Sequence, residues 1–310
     1  MKRVRARLRK TPIGLVIVIG FFVLGVIGPW IAPYDPLVID LLHEYEPPSW
    51  THLLGTGDNG IDILSALLHG ARLAAIVGIV VVGVSVVFGT LVGTWAGYAG
   101  RLTDHVVTGI ADLVQAFPAI VLNIAVLALV ARPGLMHLIV ALAINGWVLY
   151  ARLARAETLT LREREFVEAA RALGVPTHEV LSRHVIPNLL GPLVIQATTG
   201  LGVVILAEST LSFLGLGPGK AVSWGALLDQ GTSVLLRFPH VALFSGGAIA
   251  LTVLGFNLTG DWLRDRLDPA SDSHARAPRH RALPSGAPFA PGRERARARA
   301  ARLAIRPEER

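Results

Sequence analysis

Six long apolar segments, separated by polar stretches, follow one another along the chain. The first extends from Ile13 to Ala32 and is interrupted only by glycines and one proline. At about 1.5 Å per residue, about 20 such residues cross a hydrocarbon core of about 30 Å. The other five are approximately Leu73 to Ala99, Val106 to Val130, Gly134 to Ala151, Pro192 to Leu214 and His240 to Trp262. The pattern predicts an all-α membrane protein with six transmembrane helices.

Basic residues are distributed unevenly among the polar stretches, and this predicts the orientation of the spans. Lys and Arg in short loops are retained on the cytoplasmic side. The stretch between Thr11 and Ala71 has neither and carries six acidic residues, whereas the loop between the fourth and fifth spans carries six arginines. We therefore expect that loop and both termini to be cytoplasmic, with Arg132, Lys220 and Arg237 as minor exceptions.

Composition narrows the class of protein. Hydrophobic residues make up 52% of the chain and charged residues only 16%, which is typical of a membrane protein. The absence of cysteine excludes disulfides, thiolate catalysis and cysteine-based zinc sites. The net charge of +7 would suit nucleic acid, but the arginines flank apolar runs, so we expect membrane lipid and no nucleic acid as a partner. The basic start is also typical of a cleaved secretory signal, but the first apolar run is long enough to favour an uncleaved span.

Four parts are predicted along the chain. Residues 1–12 are a basic cytoplasmic tail, 13–72 are the first span with an extracytoplasmic loop, and 73–267 are the transmembrane core, including the cytoplasmic loop at 152–190. Residues 268–310 are rich in Arg, Ala and Pro and predict a disordered cytoplasmic tail. A basic helix on anionic lipid is the alternative for that tail.

The long cytoplasmic loop contains the signals of a short amphipathic helix. Thr160 and Glu163 fit a capping box, which predicts a helix that starts at Thr160. Phe166, Ala170 and Leu173 then share one face at helical spacing. We expect these three residues to form the apolar side of the helix.

A turn and a second helix are predicted directly after the first. Gly174 stands where a left-handed C-terminal cap is needed, and Pro176 prevents the helix from continuing. Thr177 is suited to cap a second helix that runs to Pro187. The result is a helical hairpin on the cytoplasmic side.

The first hairpin helix has little side-chain bulk in its middle. Ala169 and Ala170 would let another surface approach closely, and Glu168 offers a charge at the rim of such a contact. From periodicity alone, a docking element and an ordinary solvated connection remain equally open.

Several strings of the chain resemble one family of transport proteins. Glu168-Ala169-Ala170, with Gly174 and later Ile186-Pro187, is similar to the EAA loop of permease subunits of binding-protein-dependent ABC importers. Longer strings at 54–72, 164–174, 183–188 and 207–225 are similar to the second ("C") permease of dipeptide, oligopeptide and nickel importers. The likeness runs from about the first span to Pro269. Gly57 and Ile61 depart from it, where this branch usually has Asp and Arg.

This resemblance implies a fold, a location and a set of partners. It implies a type I ABC importer permease in a bacterial or archaeal plasma (inner) membrane, with the hairpin as a two-helix coupling loop. The chain would be non-catalytic and bind no cofactor, while ATP and Mg²⁺ would bind to partner ATPases. The implied partners are a second permease subunit, two ATP-binding subunits and an extracytoplasmic solute-binding protein. The motif assigns ATPase docking to Glu168, Ala169, Ala170, Arg171, Gly174 and Pro187.

Polar residues within the spans are candidates for a translocation path. An ionisable side chain at membrane depth costs roughly 2.5 to 3.5 kcal/mol on insertion scales. Asp112 and Gln115 lie on one face of the third span, just before Pro118 breaks that helix, and Glu208 lies late in the fifth. For Asp112, solvation near the cytoplasmic headgroups is an equal alternative, and Glu208 is also suited to cap neighbouring helix ends. We expect Asn145 and Asn257 to bond between helices.

Two enzyme classes are disfavoured. The segment at 217–221 lacks the spacing of a phosphate-binding loop, and His178-Glu179 lacks the second histidine four residues after the first that a helical zinc site requires. We therefore expect neither catalytic nor metal-binding residues. A passive channel with a partner-docking hairpin remains the alternative from another class. Peptides are the expected cargo, and nickel or another small solute is the alternative within the family.

Overall fold

The computed structural model describes residues 13–219 and 221–267, and the predicted tails at 1–12 and 268–310 lie outside these ranges. The described residues form ten α-helices. They are α1 Ile13–Ile31, α2 Ile63–Ala99, α3 Arg101–Gln115, α4 Ala119–Ala128, α5 Leu135–Leu161, α6 Glu165–Ala172, α7 Thr177–Val180, α8 Ile186–Phe213, α9 Trp224–Ser233 and α10 Pro239–Leu267. A π-helical turn, Leu181–Val185, joins α7 to α8.

The all-α membrane architecture is confirmed. Among the described residues, five helical stretches are long and apolar enough to cross a membrane: α1, α2, α5, the continuous stretch Thr177–Phe213 and α10. The predicted third span is instead a pair, α3 and α4, bent by 81°. The bend falls where Pro118 lacks an NH and restricts the residue before it. If this pair is counted as one span, residues 13–219 and 221–267 contain six.

A seam of glycines joins α2 to α5. Gly89, Gly93 and Gly97 lie four residues apart on α2 and pack directly against the α5 backbone around Trp147, Ala151 and Arg155. At Gly97, an added Cβ would lie 3.0 Å from the Arg155 carbonyl oxygen. Small residues at this spacing let two helices approach closely within a membrane. The part of α5 beyond Ala151 therefore packs closely on α2.

The predicted helix start at Thr160 is wrong. No helix starts at Thr160, because α5 continues past Ala151 to Leu161 and the Thr160 hydroxyl donates to the Ala156 carbonyl within it at 3.3 Å. Arg162, just after α5, donates to the Gly97 carbonyl at 3.1 Å. Tertiary packing on α2 therefore overrides the local capping signal.

The segment between α1 and α2, residues 33–62, folds back on itself, and we call it the first loop. The backbone NH of Asp40 donates to the Asn59 carbonyl at 2.9 Å, and that of Thr56 to the Glu46 carbonyl at 3.0 Å. Asp62 caps α2 by accepting from the Ser65 NH at 2.8 Å. This cap explains why α2 begins at Ile63, before the apolar run that starts at Leu73.

Candidate functional site: the hairpin and the polar residues of the spans

The hairpin, α6 with α7, is held on the helix bundle by one buried face. Val167 is fully buried and Ala170 is 7% exposed. Both belong to an apolar cluster with Val82 of α2, Tyr150 of α5 and Leu189 of α8. Because three spans or their extensions contribute to this cluster, the hairpin is wedged into the bundle and does not project freely from it.

The structure reverses part of the predicted burial of α6. Leu173 is 84% exposed and Phe166 is 44% exposed, although both were expected on the buried face with Ala170. The buried pair is Val167 and Ala170, one turn apart. The sequence pattern allows either Phe166 and Leu173 or Val167 to be buried with Ala170. The position of the helix bundle selects Val167. Phe166 and Leu173 instead add apolar area to the solvent side.

Gly174 ends α6 as predicted. Its φ is +78°, in the left-handed region that favours glycine. The NH of Gly174 donates to the Arg171 carbonyl at 3.0 Å and that of Val175 to the Ala170 carbonyl at 3.1 Å. This pair of bonds is a Schellman motif, which reverses the chain tightly toward α7.

The residues expected to dock an ATPase lie on two sides of the hairpin. Glu168, Ala169, Arg171 and Gly174 are exposed, whereas Ala170 packs inward. The Arg171 guanidinium lies 5.8 Å from the centre of the Tyr98 ring, near the end of α2. This cation–π contact is a further tie between the hairpin and a span.

Pro187 does not end the second hairpin helix, contrary to the sequence interpretation. Residues 177–213 run continuously from α7 through the π-helical turn into the fifth span, with Pro187 in the first turn of α8. A proline ring clashes with the carbonyl four residues earlier in an ordinary α-helix, and the wider π turn relieves this. Helix α7 also begins at Thr177 itself, so Thr177 is not its cap. The second hairpin helix, α7, is therefore continuous with a span.

Asp112 has a partner that the sequence did not indicate. Its carboxylate accepts from the Arg152 guanidinium of α5 at 2.6 Å, and both side chains are about half exposed. Asp104 of α3 also binds Arg155 of α5 through two hydrogen bonds, one of 2.6 Å. An acidic residue in a span is usually paired with a basic one. The loop arginines could therefore have been predicted from the sequence as partners of these two carboxylates. Gln115 is exposed beside Asp112.

Glu208 is buried, at 1% exposure. Its carboxylate accepts hydrogen bonds from Ser212 at 2.7 Å and from Ser223 at 2.9 Å, while Ser209 lies at 3.4 Å. Ser223 is the N-cap of α9 and accepts from the Gly225 NH at 3.1 Å. Glu208 thus ties the end of α8 to the start of α9 and does not line an open surface of this chain.

The two asparagines within the spans behave differently. Asn145 of α5 donates to the Ala119 carbonyl of α4 at 3.2 Å and lies 3.1 Å from the Asn123 amide, which confirms the expected contact between helices. Asn257 donates to the Val253 carbonyl of its own helix at 3.0 Å, and its expected hydrogen bond to another helix is not formed within the part of the chain that the structure describes.

Comparison with known proteins shows consistent similarity. Residues 89–272 match the family model described as the inner membrane component of binding-protein-dependent transport systems, and residues 1–48 match the N-terminal transmembrane domain of oligopeptide transport permease C. The chain is 38% identical over 262 residues to the dipeptide transport permease DppC of Alkalihalophilus pseudofirmus, covering 84% of this chain and 86% of that one. It is 35% identical to the oligopeptide permease OppC of Bacillus subtilis, covering 83% and 84%.

Other similarities extend this range. The glutathione transport permease GsiD of Pectobacterium atrosepticum is 39% identical over 257 residues, which cover 81% of this chain and 85% of that one. Among solved structures, the inward-facing MetNI methionine ABC transporter superposes with a TM-score of 0.54 at 20% identity, covering 66% of this chain and 96% of that chain. At this identity the similarity concerns the fold alone.

Proposed function

The chain belongs to the family of inner membrane components of binding-protein-dependent transport systems, and on this premise we propose how it works in a peptide importer. It forms part of the translocation path, takes no part in catalysis and couples to separate ATPases. Its relatives are named for dipeptides, oligopeptides and glutathione, which supports short peptides as cargo. The complex would hold this chain, a second permease subunit, two ATP-binding subunits and an extracytoplasmic solute-binding protein.

The hairpin geometry supports ATPase docking most directly. One side of α6 is buried on the bundle through Val167, and the other exposes Glu168, Ala169, Arg171 and Leu173. An exposed apolar residue beside small and charged ones is typical of a contact surface. Because α7 continues into the fifth span, force on the hairpin would tilt that span. ATP and Mg²⁺ would act on the partner subunits, and both termini of this chain would lie on the same, cytoplasmic side.

The translocation path is proposed to pass the face of α3 that carries Asp112 and Gln115. Both side chains are exposed, and an exposed charge pair such as Asp112 with Arg152 is costly against lipid. Glu208 would act from within the subunit, by fixing α9 at the other end of the path. Asp112→Asn should slow uptake at normal expression, and unchanged uptake would remove Asp112 from the path.

Reconstitution of the whole complex tests this function. In proteoliposomes that contain all subunits and the binding protein, we expect peptide uptake only with ATP. Glu168→Lys should reduce both co-purification of the ATPases and uptake, because it reverses a charge on the docking side. Asp229→Lys, an exposed reversal on α9, is the matched control and should keep the ATPases bound. Uptake that proceeds without ATP would instead identify a passive channel.

A further inference from the structure

A cavity of about 260 Å³ lies at the end of α2 that is far from the hairpin. Three separate segments build it: residues 35–37 of the first loop, one face of α2, and residues 221–222 before α9. On α2 the lining residues include His69, Arg72 and Ile76, which recur at helical spacing. The proposed topology places this junction at the extracytoplasmic end of the span.

Two unlike charges line this cavity without neutralising each other. Within residues 13–219 and 221–267, the Arg72 guanidinium has no hydrogen bond, and no salt bridge within 4.0 Å joins it to Asp35. The Asp35 carboxylate accepts one hydrogen bond, from the Leu37 NH at 2.9 Å, and pairs with no cation of the described part of the chain. Arg152 and Arg155, at the other end of the bundle, each bind a carboxylate. Among the described residues, the cavity therefore offers a cation and an anion that form no ion pair.

Arg72 and Asp35 are both exposed, so water can hydrate each, but a single ligand that carries both charges could bind the two together. Arg72 is the first basic residue after Lys10, and an arginine on the outer side opposes the usual distribution of positive charge. A lipid phosphate would satisfy Arg72, but the Asp35 carboxylate that lines the same cavity would repel it. A zwitterion satisfies both groups at once.

We propose that this cavity receives a short zwitterionic peptide at the outer entrance of the path, with Arg72 against the terminal carboxylate and Asp35 against the terminal ammonium. The inference rests on the proposed function. A guanidinium fork matches a carboxylate in two parallel hydrogen bonds. An extended chain covers about 3.3 to 3.6 Å per residue, so a dipeptide can bridge two charges that do not touch each other. The volume lies just below the ~300 Å³ at which pockets for small molecules begin.

Two other features of the lining suit the same ligand. The Nδ1 of His69 lies 2.9 Å from the Ser65 carbonyl oxygen, to which it donates, so an unprotonated Nε2 would be an acceptor for a peptide NH. Leu37, Ile76 and Val222 supply apolar walls for side chains of any identity. The site would thus recognise the termini of a peptide and tolerate its sequence.

Uptake of three probe peptides tests the charges separately. The probes are dialanine, alanyl-alaninamide, which lacks the carboxylate, and N-acetyl-dialanine, which lacks the ammonium. Uptake of each probe is measured in proteoliposomes that contain the full complex and one binding protein. The affinity of that binding protein for each probe is measured separately. Because it is the same for every permease variant, it cancels when uptake is compared as a ratio between variants. Arg72→Gln should reduce dialanine uptake about tenfold, the size a charge-assisted hydrogen bond supports, and leave the amide unchanged. Arg72→Lys should recover part of the loss.

Asp35→Asn should give the complementary result. It should reduce uptake of dialanine and of the amide, and leave N-acetyl-dialanine unchanged, because that probe has no ammonium to lose. Arg132→Gln, at another exposed arginine, should alter no ratio. An equal loss for all three probes in Arg72→Gln would show a structural role, and no loss would show that Arg72 does not bind the carboxylate. A change of ratio in Lys220→Gln alone would assign the carboxylate to Lys220, and each of these outcomes overturns the proposal.

A readout without transport separates the two proposals. Dialanine carrying a photoreactive diazirine should label α2 residues 69–76 in the full complex in nanodiscs, and Arg72→Gln should abolish this labelling. Labelling without ATP-driven uptake would reject the proposed function and keep the cavity. ATP-driven uptake without labelling or charge dependence would keep the function and reject the cavity.

Discussion

The two ends of the bundle are built in different ways. At the hairpin end, which comprises α6, α7 and the adjoining ends of α2 and α5, most ties join residues far apart in sequence: Arg162 to Gly97, Arg155 to Asp104, and Val167 into a cluster shared by three spans. At the loop end, which comprises the first loop and α9, many ties are local, such as Asp40 to Asn59 and Glu46 to Thr56. The first loop is thus held in large part by bonds within its own segment, whereas α9 and the hairpin take their positions from the spans.

This difference bears on how movement would pass through the molecule. Because the hairpin contacts several spans, movement of those spans would move the hairpin, and movement of the hairpin would move the spans. The hairpin is continuous with the fifth span through the π-helical turn. The loop end contacts the same span through Glu208 and Ser223. The fifth span therefore connects the two ends.

The largest expected effect is at the hairpin anchor. Val167→Asp should destabilise the protein by about 3 kcal/mol, because it buries a carboxylate without a partner. The melting temperature in detergent and protease cleavage at 160–185 measure this. Phe166→Asp places the same charge on the neighbouring exposed side and is the matched control. If both variants melt alike, the hairpin does not depend on its buried face.

The next effect concerns the link between the fifth span and the loop end. Glu208→Ala should cost about 1 to 3 kcal/mol, because it removes the acceptor of buried serine hydroxyls. Hydrogen exchange at 223–227 should rise while exchange in α6 stays unchanged. Glu208→Gln keeps one acceptor oxygen and should have a smaller effect. Equal exchange in wild type and Glu208→Ala would show that this link does not hold α9.

A smaller effect is expected from the ion pairs at the hairpin end. Arg155→Ala should cost about 1 kcal/mol, since its pair with Asp104 is partly exposed and screened. A double-mutant cycle with Asp104→Ala isolates the pair. The more exposed pair of Arg152 with Asp112 should give about 0.5 kcal/mol. A coupling energy that is larger for Arg152 with Asp112 than for Arg155 with Asp104 would contradict the expected order of the two ion pairs.

The smallest effect is a titration in the first loop. A hydrogen bond from His43 to Asp40 raises the pKa of His43 and lowers the pKa of Asp40. The contribution of His43 is present below its ordinary pKa and is lost as the pH rises through its raised pKa, while that of Asp40 is lost as the pH falls through its lowered pKa. The pair therefore holds best between the two pKa values. In NMR titrations, Asp40→Asn should return the pKa of His43 toward its ordinary value, and an unchanged pKa would exclude the pair.

Local signals in the sequence were reliable where one or two residues restrict the backbone. Gly174 adopts the left-handed conformation expected of a cap, and Pro118 coincides with the break in the third span. Thr160 was misleading, because a capping box is worth only about 1 kcal/mol and the glycine seam extends α5 across it. Pro187 was misleading for a similar reason, since a π-helical turn accommodates it.

The assignment of partners was less predictable than the assignment of helices. Asp112 was recognised as a candidate, but its partner Arg152 lies 40 residues away in sequence, and Arg155 lies 51 residues from Asp104. The serines around Glu208 are closer, yet Ser223 reaches it only because α9 turns back on α8. No pattern of spacing in one segment carries this information.

The sequence by itself determined the membrane class, the number of apolar segments, the position of the hairpin and the family. These follow from the transfer free energies of side chains, from backbone restrictions and from short motifs, all of which are local properties. Only the tertiary structure decided that Val167 is buried and Leu173 exposed, that Pro187 lies within a continuous span, and that Arg72 and Asp35 line one cavity. The physical reason is that burial and charge pairing depend on which surfaces meet, and packing between distant helices sets this.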